Sequence, residues 1–274
     1  MTGEWKRMAG TNGLPRIVFD DGTVAAELYL NGAHLTAVEN RRTGRSLLWL
    51  LPDAEFLPGR AIRGGVPLIF PWFGKHPDPS MPGHGFARNR TWTVAATAGN
   101  RAELTLEDCE ETRALWPHRF RARLGVEVSE GGVAMDLTIA NTDSAAFTYE
   151  AGYHPYFAVG DVRDVQVEGL EGCRYLDKIL GGEAVQQGGV RFPGVIDRVY
   201  VEPAGDAVIR EGAEARVRVS RSEAREIVVW NPGGGRNGSP APPFVCVEPA
   251  TCVEHRVTIG SGEEHTMATR FEWI

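Results

Sequence analysis

The sequence predicts an all-β protein, a large β-sandwich of many short strands. One segment shows the hydrophobic period of two that a half-buried strand requires, with apolar residues at Phe120, Ala122, Leu124, Val126 and Val128. The chain also contains 33 glycines and 17 prolines, which divide it into short segments. No window of helical length has apolar residues at i, i+3, i+4 and i+7 together with a cap. These three observations together favour an all-β fold.

A glycine-containing turn joins this segment to a second one with the same period. The turn is 129–132 (SEGG), and Val133, Met135, Leu137 and Ile139 alternate after it. Alternation on both sides of such a turn predicts a β-hairpin with one buried face. Shorter alternating segments predict further strands at 104–106, 215–219 and 267–271. No repeat and no linker divides residues 1–274, so we expect one domain with two large sheets packed face to face.

Composition and charge narrow the class of protein. Hydrophobic residues make up 42% of the 274 residues and charged residues 24%, which is typical of a globular protein. A chain of this length buries enough surface to fold without disulfides or a structural metal. The formal charge of -7 argues against a general nucleic-acid binder. It does not argue against an anionic small molecule, because a few local arginines can outweigh it.

The cysteines and the apolar runs indicate a reduced, cytoplasmic protein. Cys109, Cys173, Cys246 and Cys252 form no CxxC pair and no zinc-type spacing, so we expect buried thiols rather than disulfides. The first ten residues, MTGEWKRMAG, lack the apolar core of a signal peptide. The longest apolar run, 47–51, is too short to span a bilayer. We therefore expect no membrane partner.

The segment 63–92 is the densest candidate for a functional site. It combines arginines, histidines, aromatic residues, glycines and prolines, a composition typical of loops on a rigid scaffold. Two glycines follow Arg63 and would let a ligand or another strand approach the backbone closely. Arg63 and Arg88 on neighbouring loops suit a phosphate, because each guanidinium is a planar fork of donors. The alternative is that both are surface arginines paired with carboxylates.

Three further residues are candidates for acid–base chemistry or ligand binding. His154 lies among aromatic residues, where an imidazole could act as a general acid or could be a hydrogen-bonded core residue. Glu248 shares a strand face with Phe244 and Cys246, so it either forms a strand-end salt bridge or has a raised pKa and a catalytic role. For Asp197 the local sequence favours a turn or capping role.

Other chemistries lack their motifs in this sequence. It contains no HxH or HExxH metal motif, no GxSxG nucleophile elbow and no phosphate-binding loop. The Gly/Pro-rich stretch 232–243 predicts a mobile loop between two strands that overhangs another part of the protein.

Six segments together resemble the hexose-6-phosphate 1-epimerases, a branch of the aldose 1-epimerase family. In chain order they are RGGVPLIFPWFG at 63–74, HGFARNRTW at 84–92, YHPYF at 153–157, DRVY at 197–200, VVWNP at 228–232 and VCVEP at 245–249. The resemblance covers nearly the whole chain. It implies a galactose-mutarotase-like β-sandwich that interconverts the α and β anomers of a hexose 6-phosphate, such as glucose 6-phosphate.

The resemblance also implies a role for each candidate residue. His154 is expected to protonate the ring oxygen, and Glu248 to take the proton from the anomeric hydroxyl. Arg63 and Arg88 are the expected phosphate ligands, while His84 and Asp197 are expected to bind the substrate. No cofactor and no metal are required. The expected partner is a phosphosugar and not a nucleic acid, and the expected state is a monomer or weak dimer.

Two positions bear on the choice of substrate. Neutral-sugar mutarotases typically have asparagine before the catalytic histidine, whereas this chain has Tyr153, which favours the phosphosugar branch. Family members often have glutamine before the HGFAR histidine, whereas this chain has Gly83, so that ligand contact is either missing or supplied by another residue, with His84, His76 and Lys75 as candidates. The alternatives are a mutarotase for neutral aldoses or another phosphosugar, and a non-catalytic carbohydrate-binding protein of the same fold.

Overall fold

The computed structural model describes residues 3–234 and 241–274, which form 24 strands and very little helix. The first twelve strands are β1 (Lys6–Ala9), β2 (Pro15–Asp20), β3 (Val24–Tyr29), β4 (His34–Asn40), β5 (Arg45–Ser46), β6 (Leu68–Ile69), β7 (Thr93–Ala98), β8 (Arg101–Glu107), β9 (Phe120–Ser129), β10 (Gly132–Asn141), β11 (Phe147–Tyr149) and β12 (Ala151–Tyr153). The others are β13 (Tyr156–Ala158), β14 (Val165–Glu168), β15 (Arg174–Asp177), β16 (Glu183–Val185), β17 (Val190–Arg191), β18 (Ile196–Val201), β19 (Ala207–Glu211), β20 (Glu214–Ser222), β21 (Glu226–Asn231), β22 (Phe244–Thr251), β23 (Val257–Ile259) and β24 (Glu264–Trp273). The helical elements are α1 (Glu110–Leu115) and 3₁₀ turns at Thr11–Gly13, Ala87–Asn89 and Val162–Asp164.

Two large antiparallel sheets organise the fold. One has nine strands in the order β17-β14-β19-β20-β24-β10-β9-β8-β7. The other has eight, in the order β16-β15-β18-β21-β22-β12-β6 with β13 also paired to β22. Strands β1 to β5 form a five-stranded sheet, and β11 pairs with β23. The all-β prediction is confirmed.

The hairpin predicted around residues 120–139 is present as β9 and β10. Ser129 pairs with Gly132 at the turn, and the register continues without a break to the pair Phe120 and Asn141. Leu124 and Leu137 face each other in this register, and both are buried. The apolar residues that alternate along this segment of the sequence therefore form the buried face of the observed hairpin. The predicted strands at 104–106, 215–219 and 267–271 lie within β8, β20 and β24.

The two large sheets pack face to face, as expected for a β-sandwich. The hydroxyl of Tyr153 in β12 donates a hydrogen bond of 2.8 Å to the carbonyl of Met267 in β24. The ring of Phe157 in β13 meets that of Phe271 in β24 edge to face, with centroids 5.1 Å apart. One face of the eight-stranded sheet thus forms the core, which leaves its opposite face available for a site.

Strand β22 is buried along its whole length, and its two faces have different environments. Val245 and Val247 join the main core cluster. Because side chains alternate along a strand, Phe244, Cys246 and Glu248 point to the opposite face. Glu248 therefore lies in the middle of the strand, and the prediction of a strand-end salt bridge is wrong.

The remaining predictions concern the cysteines, the loop and the membrane. All four cysteines are free thiols, and Cys246 and Cys252 are buried. Residues 232–243 do connect two strands, β21 and β22, but residues 235–240 lie outside the described residues. No helix in the described part of the chain is long and apolar enough to cross a membrane.

Candidate active site

A cleft of about 1160 Å³ opens on the face of the eight-stranded sheet that is turned away from the core. Its floor comes from β18, β21, β22 and the connection between β12 and β13, and its walls include residues from 61–88. All six candidate site residues line it: Arg63, His84, Arg88, His154, Asp197 and Glu248. The structure therefore brings together every residue that the sequence identified as a candidate.

The register of β22 with its neighbours places His154 opposite Glu248. Gly152 in β12 pairs with Ala250, and Tyr156 in β13 pairs with Cys246. His154 lies midway between these two pairs, in the short break between β12 and β13, so its partner position on β22 is Glu248. Side chains at opposed positions lie on the same face of a sheet. Both therefore point into the cleft.

The imidazole and the carboxylate approach closely at the floor of the cleft. Nε2 of His154 lies 3.4 Å from Oε1 of Glu248, and the two residues are only 7% and 1% exposed. The ring of Tyr156 stacks on the imidazole with centroids 4.9 Å apart and an interplanar angle of 14°, and Trp230 meets it edge to face. Aromatic packing thus holds the imidazole in one orientation.

Burial shifts the pKa values of the two groups in opposite directions. The pKa of His154 is lowered well below 6.5, first by burial and also by the nearby positive charge of Arg88. The pKa of Glu248 is raised well above 4.5 by burial, although Lys178 counteracts this shift. The rise brings the carboxyl group of Glu248 towards the working pH range of a proton-transfer enzyme, whereas the lowered pKa of His154 makes its imidazolium form a stronger acid.

The cleft holds two arginines that form no ion pair with any described carboxylate. Arg63 is exposed, whereas Arg88 is largely enclosed, donates through Nη2 to the carbonyl of Gly83 at 2.7 Å and leaves its buried Nε without a partner in the described residues. Burial lowers the pKa of Arg88, and the charge of Arg63 adds to this effect. The alternative of two arginines paired with carboxylates is wrong. An unpaired buried donor favours an anionic ligand.

Gly64 and Gly65 position Arg63 because another strand approaches them closely. Gly65 has φ +61°, and a Cβ atom there would collide with the carbonyl oxygen of Leu35 and lie 2.9 Å from Nε2 of His34. His34 is fully buried and hydrogen bonds to the carbonyl of Gly64 at 2.8 Å. Of the two possibilities raised by the glycines, a close strand is the one observed.

His84 contributes a neutral imidazole to the wall of the cleft. The backbone N–H of Gly74 donates to its Nδ1 at 3.3 Å, which leaves Nε2 to carry the ring proton. Burial, followed by the charges of Arg88 and Lys178, lowers the pKa of His84 to about 3. His84 also has a left-handed backbone, with φ +61°. It can therefore offer a neutral N–H donor to a ligand at pH 7.

Asp197 belongs to a strand and not to a turn, so the turn or capping prediction is wrong. It is the second residue of β18 and pairs with Trp230 of β21, which directs its side chain to the cleft. Burial raises the pKa of its carboxyl group, an effect opposed by Lys178, whose Nζ lies 4.0 Å from Oδ1.

Lys178 is a charged cleft residue that sequence reasoning missed. It follows β15, and its ammonium group lies 4.8 Å from the centre of the Phe73 ring. Nothing in the segment around it marks it as functional, because its place in the cleft depends on the pairing of β15 with β18. Glu150 and Arg256 were also missed; they line the cleft and form an ion pair of 3.0 Å.

One set of cleft-floor residues has the chemistry of metal ligands. Donor atoms of His154, Cys246 and Glu248 lie within 4.8 Å of one another. The sequence showed no metal motif because only the tertiary structure brings His154 to this strand.

Comparisons with known proteins agree with this architecture. The sequence matches the model of the family described as aldose 1-epimerase over residues 15–272. It is 35% identical to a protein of Escherichia coli K12 named "Putative glucose-6-phosphate 1-epimerase", over 88% of this chain and 84% of that protein. A protein of the same name from Cenchrus ciliaris is 34% identical over 92% of this chain and 83% of its own length.

A solved structure shows the same fold at similar sequence identity. It is that of a "putative mutarotase" from Salmonella typhimurium, with a TM-score of 0.85 and 32% identity over 98% of this chain and 93% of that one. The family match spans nearly the whole sandwich and includes all six candidate site residues. The chain belongs to the aldose 1-epimerase family.

Proposed function

We propose that this protein interconverts the α and β anomers of a hexose 6-phosphate, with glucose 6-phosphate as the first substrate to test. The observation that carries the proposal is the His154–Glu248 pair, 3.4 Å apart at the floor of a cleft with unpaired arginines. The names of the relatives from E. coli and Cenchrus ciliaris support the same substrate. Residues 1–274 would act as one unit in this reaction.

The charge of the cleft favours a phosphosugar over a neutral hexose. Its lining contains five cationic side chains, Arg63, Lys75, Arg88, Lys178 and Arg256. It contains three carboxyl groups, those of Glu150, Asp197 and Glu248. This local excess of positive charge contrasts with the formal charge of -7 for the whole chain. Arg63 and Arg88 are the proposed phosphate ligands, because neither has a carboxylate partner among the described residues.

Asp197 and His84 would orient the sugar ring. A carboxylate accepts hydrogen bonds from hydroxyl groups, and a neutral imidazole with its proton on Nε2 donates one. The cleft, at about 1160 Å³, is slightly larger than the range of about 300–1,000 Å³ that is common for small-molecule sites. It therefore has room for the open-chain sugar to rotate.

Anomer exchange needs two proton transfers, one at each end of the bond that breaks. His154 protonates the ring oxygen while Glu248 removes the proton of the anomeric hydroxyl. The bond between the anomeric carbon and the ring oxygen breaks, its electron pair goes to the ring oxygen, and the anomeric C–O bond becomes a carbonyl. Rotation about C1–C2 and reclosure on the other carbonyl face, with both proton transfers reversed, give the other anomer. Each positioned group contributes about 10²–10⁴-fold to such a reaction.

The opposed pKa shifts suit this cycle. Ring opening moves one proton, in net terms, from His154 to Glu248, so the enzyme passes from imidazolium and carboxylate to neutral imidazole and carboxylic acid. Burial lowers the pKa of His154 and raises that of Glu248, so both shifts favour the neutral pair that follows ring opening over the ion pair that precedes it. The net proton transfer that accompanies ring opening is therefore favoured by the environment of the pair.

The test is the rate of α/β exchange measured by magnetisation-transfer NMR at anomeric equilibrium. Glucose 6-phosphate and glucose are compared with the same purified protein. We expect strong acceleration with glucose 6-phosphate and little with glucose. Acceleration with glucose alone would indicate that the protein is a mutarotase for neutral sugars. Acceleration with neither sugar would contradict the proposal and favour another sugar or a binding role.

A further inference from the structure

The floor of the cleft contains a thiol that the proposed reaction does not use. Cys246 lies two residues before Glu248 on β22 and is fully buried on the same face. Its sulfur lies within 4.8 Å of donor atoms of both His154 and Glu248. A thiolate, an imidazole and a carboxylate are together the ligand types that bind Zn²⁺ and similar ions.

The spacing of two of these donors already matches that of metal ligands. Zinc bonds of about 2.0–2.3 Å at tetrahedral angles place neighbouring donor atoms about 3.3–3.6 Å apart. Nε2 of His154 and Oε1 of Glu248 are 3.4 Å apart. Since the sulfur of Cys246 lies within 4.8 Å of both donor atoms, it would have to approach them by at most about 1.5 Å to occupy a third corner of the tetrahedron.

An unpaired polar atom supports a ligand at this position. Oε2 of Glu248 is buried and has no hydrogen-bond partner within residues 3–234 and 241–274. Buried polar groups are normally satisfied, so this carboxyl group retains unused capacity to bind an ion or a substrate atom. The cleft reaches His154 and Glu248, so an ion can approach both of these donors from solvent.

The surrounding charges decide which ions could bind. Arg88 and Lys178 oppose any cation, so a hard ion bound only by a carboxylate would be disfavoured. Ca²⁺ and Mg²⁺ also require about six oxygen ligands, which this floor does not offer. A thiolate and a carboxylate together neutralise a divalent ion and favour a soft or borderline one.

We propose that His154, Cys246 and Glu248 form a binding site for Zn²⁺ and similar borderline divalent cations, and that a bound cation blocks anomer exchange. Binding replaces the thiol proton with the metal and releases that proton to solvent. The metal also ligates both groups that would transfer protons. The blocking effect rests on the proposed function, whereas metal binding does not.

Cobalt spectroscopy tests binding independently of catalysis. Co²⁺ is titrated into protein stripped with a chelator, and thiolate ligation gives a charge-transfer band in the near ultraviolet. We expect one Co²⁺ per chain, displacement by Zn²⁺ and no displacement by Mg²⁺. Cys246→Ser should abolish the band, whereas Cys252→Ser, which removes another buried thiol outside the three, should keep it. An absent band in the wild type, or an equal band in Cys246→Ser, would overturn the proposal.

Inhibition is then measured in the anomer-exchange assay. Zn²⁺ should inhibit the wild type and Cys252→Ser reversibly. The concentration for half inhibition should rise by at least about 10-fold in Cys246→Ser, because loss of a ligand should weaken metal binding no less than loss of a residue that only orients a ligand. If neither sugar is exchanged, the proposed function fails while the cobalt result still decides the metal site. If Zn²⁺ inhibits Cys246→Ser as strongly as the wild type, the site proposed here is wrong.

Folding of the variant is checked by circular dichroism and thermal unfolding. If Cys246→Ser does not fold, Cys246→Ala replaces it in both assays. If neither variant folds, cadmium NMR of the wild type tests the proposed ligands. The chemical shift of the bound cadmium ion distinguishes a site with one sulfur ligand from a site with nitrogen and oxygen ligands alone. A shift without sulfur character would contradict the proposal.

Discussion

Nε2 of His154 lies 3.4 Å from Oε1 of Glu248, and the two residues occupy opposed positions on antiparallel segments of one sheet. Strands β12 and β13 both pair with β22, and the break between them contains His154. The pair can therefore keep its separation without relying on a flexible loop. Sites supported by strands hold their geometry more firmly than sites on loops.

Removal of either member of this pair should abolish most of the anomer exchange. We expect His154→Asn and Glu248→Gln each to lower the rate about 10²–10⁴-fold, because each removes one proton transfer. The rate is measured by magnetisation-transfer NMR with glucose 6-phosphate. His255 and Glu226 provide a matched control, since they form a pair of 2.6 Å outside the cleft in which Glu226 is buried and His255 is partly buried.

The control variants His255→Asn and Glu226→Gln should lower stability but change the exchange rate of the folded protein less than about tenfold. Unchanged exchange in both His154→Asn and Glu248→Gln would contradict the roles proposed for them.

Loss of an arginine should affect the phosphosugar selectively. We expect Arg88→Ala to raise KM for glucose 6-phosphate about 10- to 100-fold, because a hydrogen bond to a charged group contributes about 1.5–3 kcal/mol. The effect on any residual activity with glucose should be much smaller. Arg174→Ala is a suitable control, since Arg174 pairs with Glu254 outside the cleft. Equal losses with both sugars would indicate that Arg88 supports the loop through its bond to Gly83.

The pH profile should depend on Lys178. The proposed reaction needs one proton shared between His154 and Glu248, so a plot of kcat/KM against pH should be bell-shaped. The two apparent pKa values of this plot describe the coupled pair and not one residue each. Lys178 lowers the pKa of both groups. Loss of this positive charge in Lys178→Met should raise the pKa values of both groups, so both limbs of the pH profile should shift to higher pH.

Lys75→Met is the matched control for this shift. Lys75 also lines the cleft, but it does not contribute to the pKa shift of either His154 or Glu248. The pH profile of kcat/KM should therefore not shift in this variant. A profile that stays in place in Lys178→Met, or moves equally in both variants, would show that Lys178 does not act on the pair.

Stability should be more sensitive to Gly65 than to an ordinary left-handed glycine. Gly65→Ala places a Cβ against the carbonyl of Leu35 and the ring of His34. We expect a loss of about 2–5 kcal/mol in the free energy of unfolding, from backbone strain of about 1–2 kcal/mol and overpacking of about 1–3 kcal/mol. Gly99 has a similar φ, +55°, with no neighbouring atom within 4 Å of its Cβ position.

Gly99→Ala should thus lose only the strain component, about 1–2 kcal/mol. Urea unfolding at pH 7 measures both variants. Equal losses in the two would mean that the close approach of Leu35 at Gly65 is accommodated by small backbone movements.

Local sequence patterns predicted much of the fold. The alternation from Phe120 to Ile139 identified β9, its turn and β10, because burial of one face requires a period of two. The segments that resemble aldose 1-epimerases identified six candidate residues, and all six line the cleft. Asp197 was the exception in the residue-level reasoning, since the local sequence favoured a turn and its strand character depends on pairing with β21.

The sequence by itself determined the all-β class, the hairpin, the family and the candidate site residues, because these depend on local periodicity and on recognisable segments. Only the tertiary structure decided that His154 faces Glu248, that Cys246 joins them and that Lys178 enters the cleft. Each of these relationships depends on the register between strands that are distant in the chain. That register is set by the burial of the shared core face, which no local segment specifies.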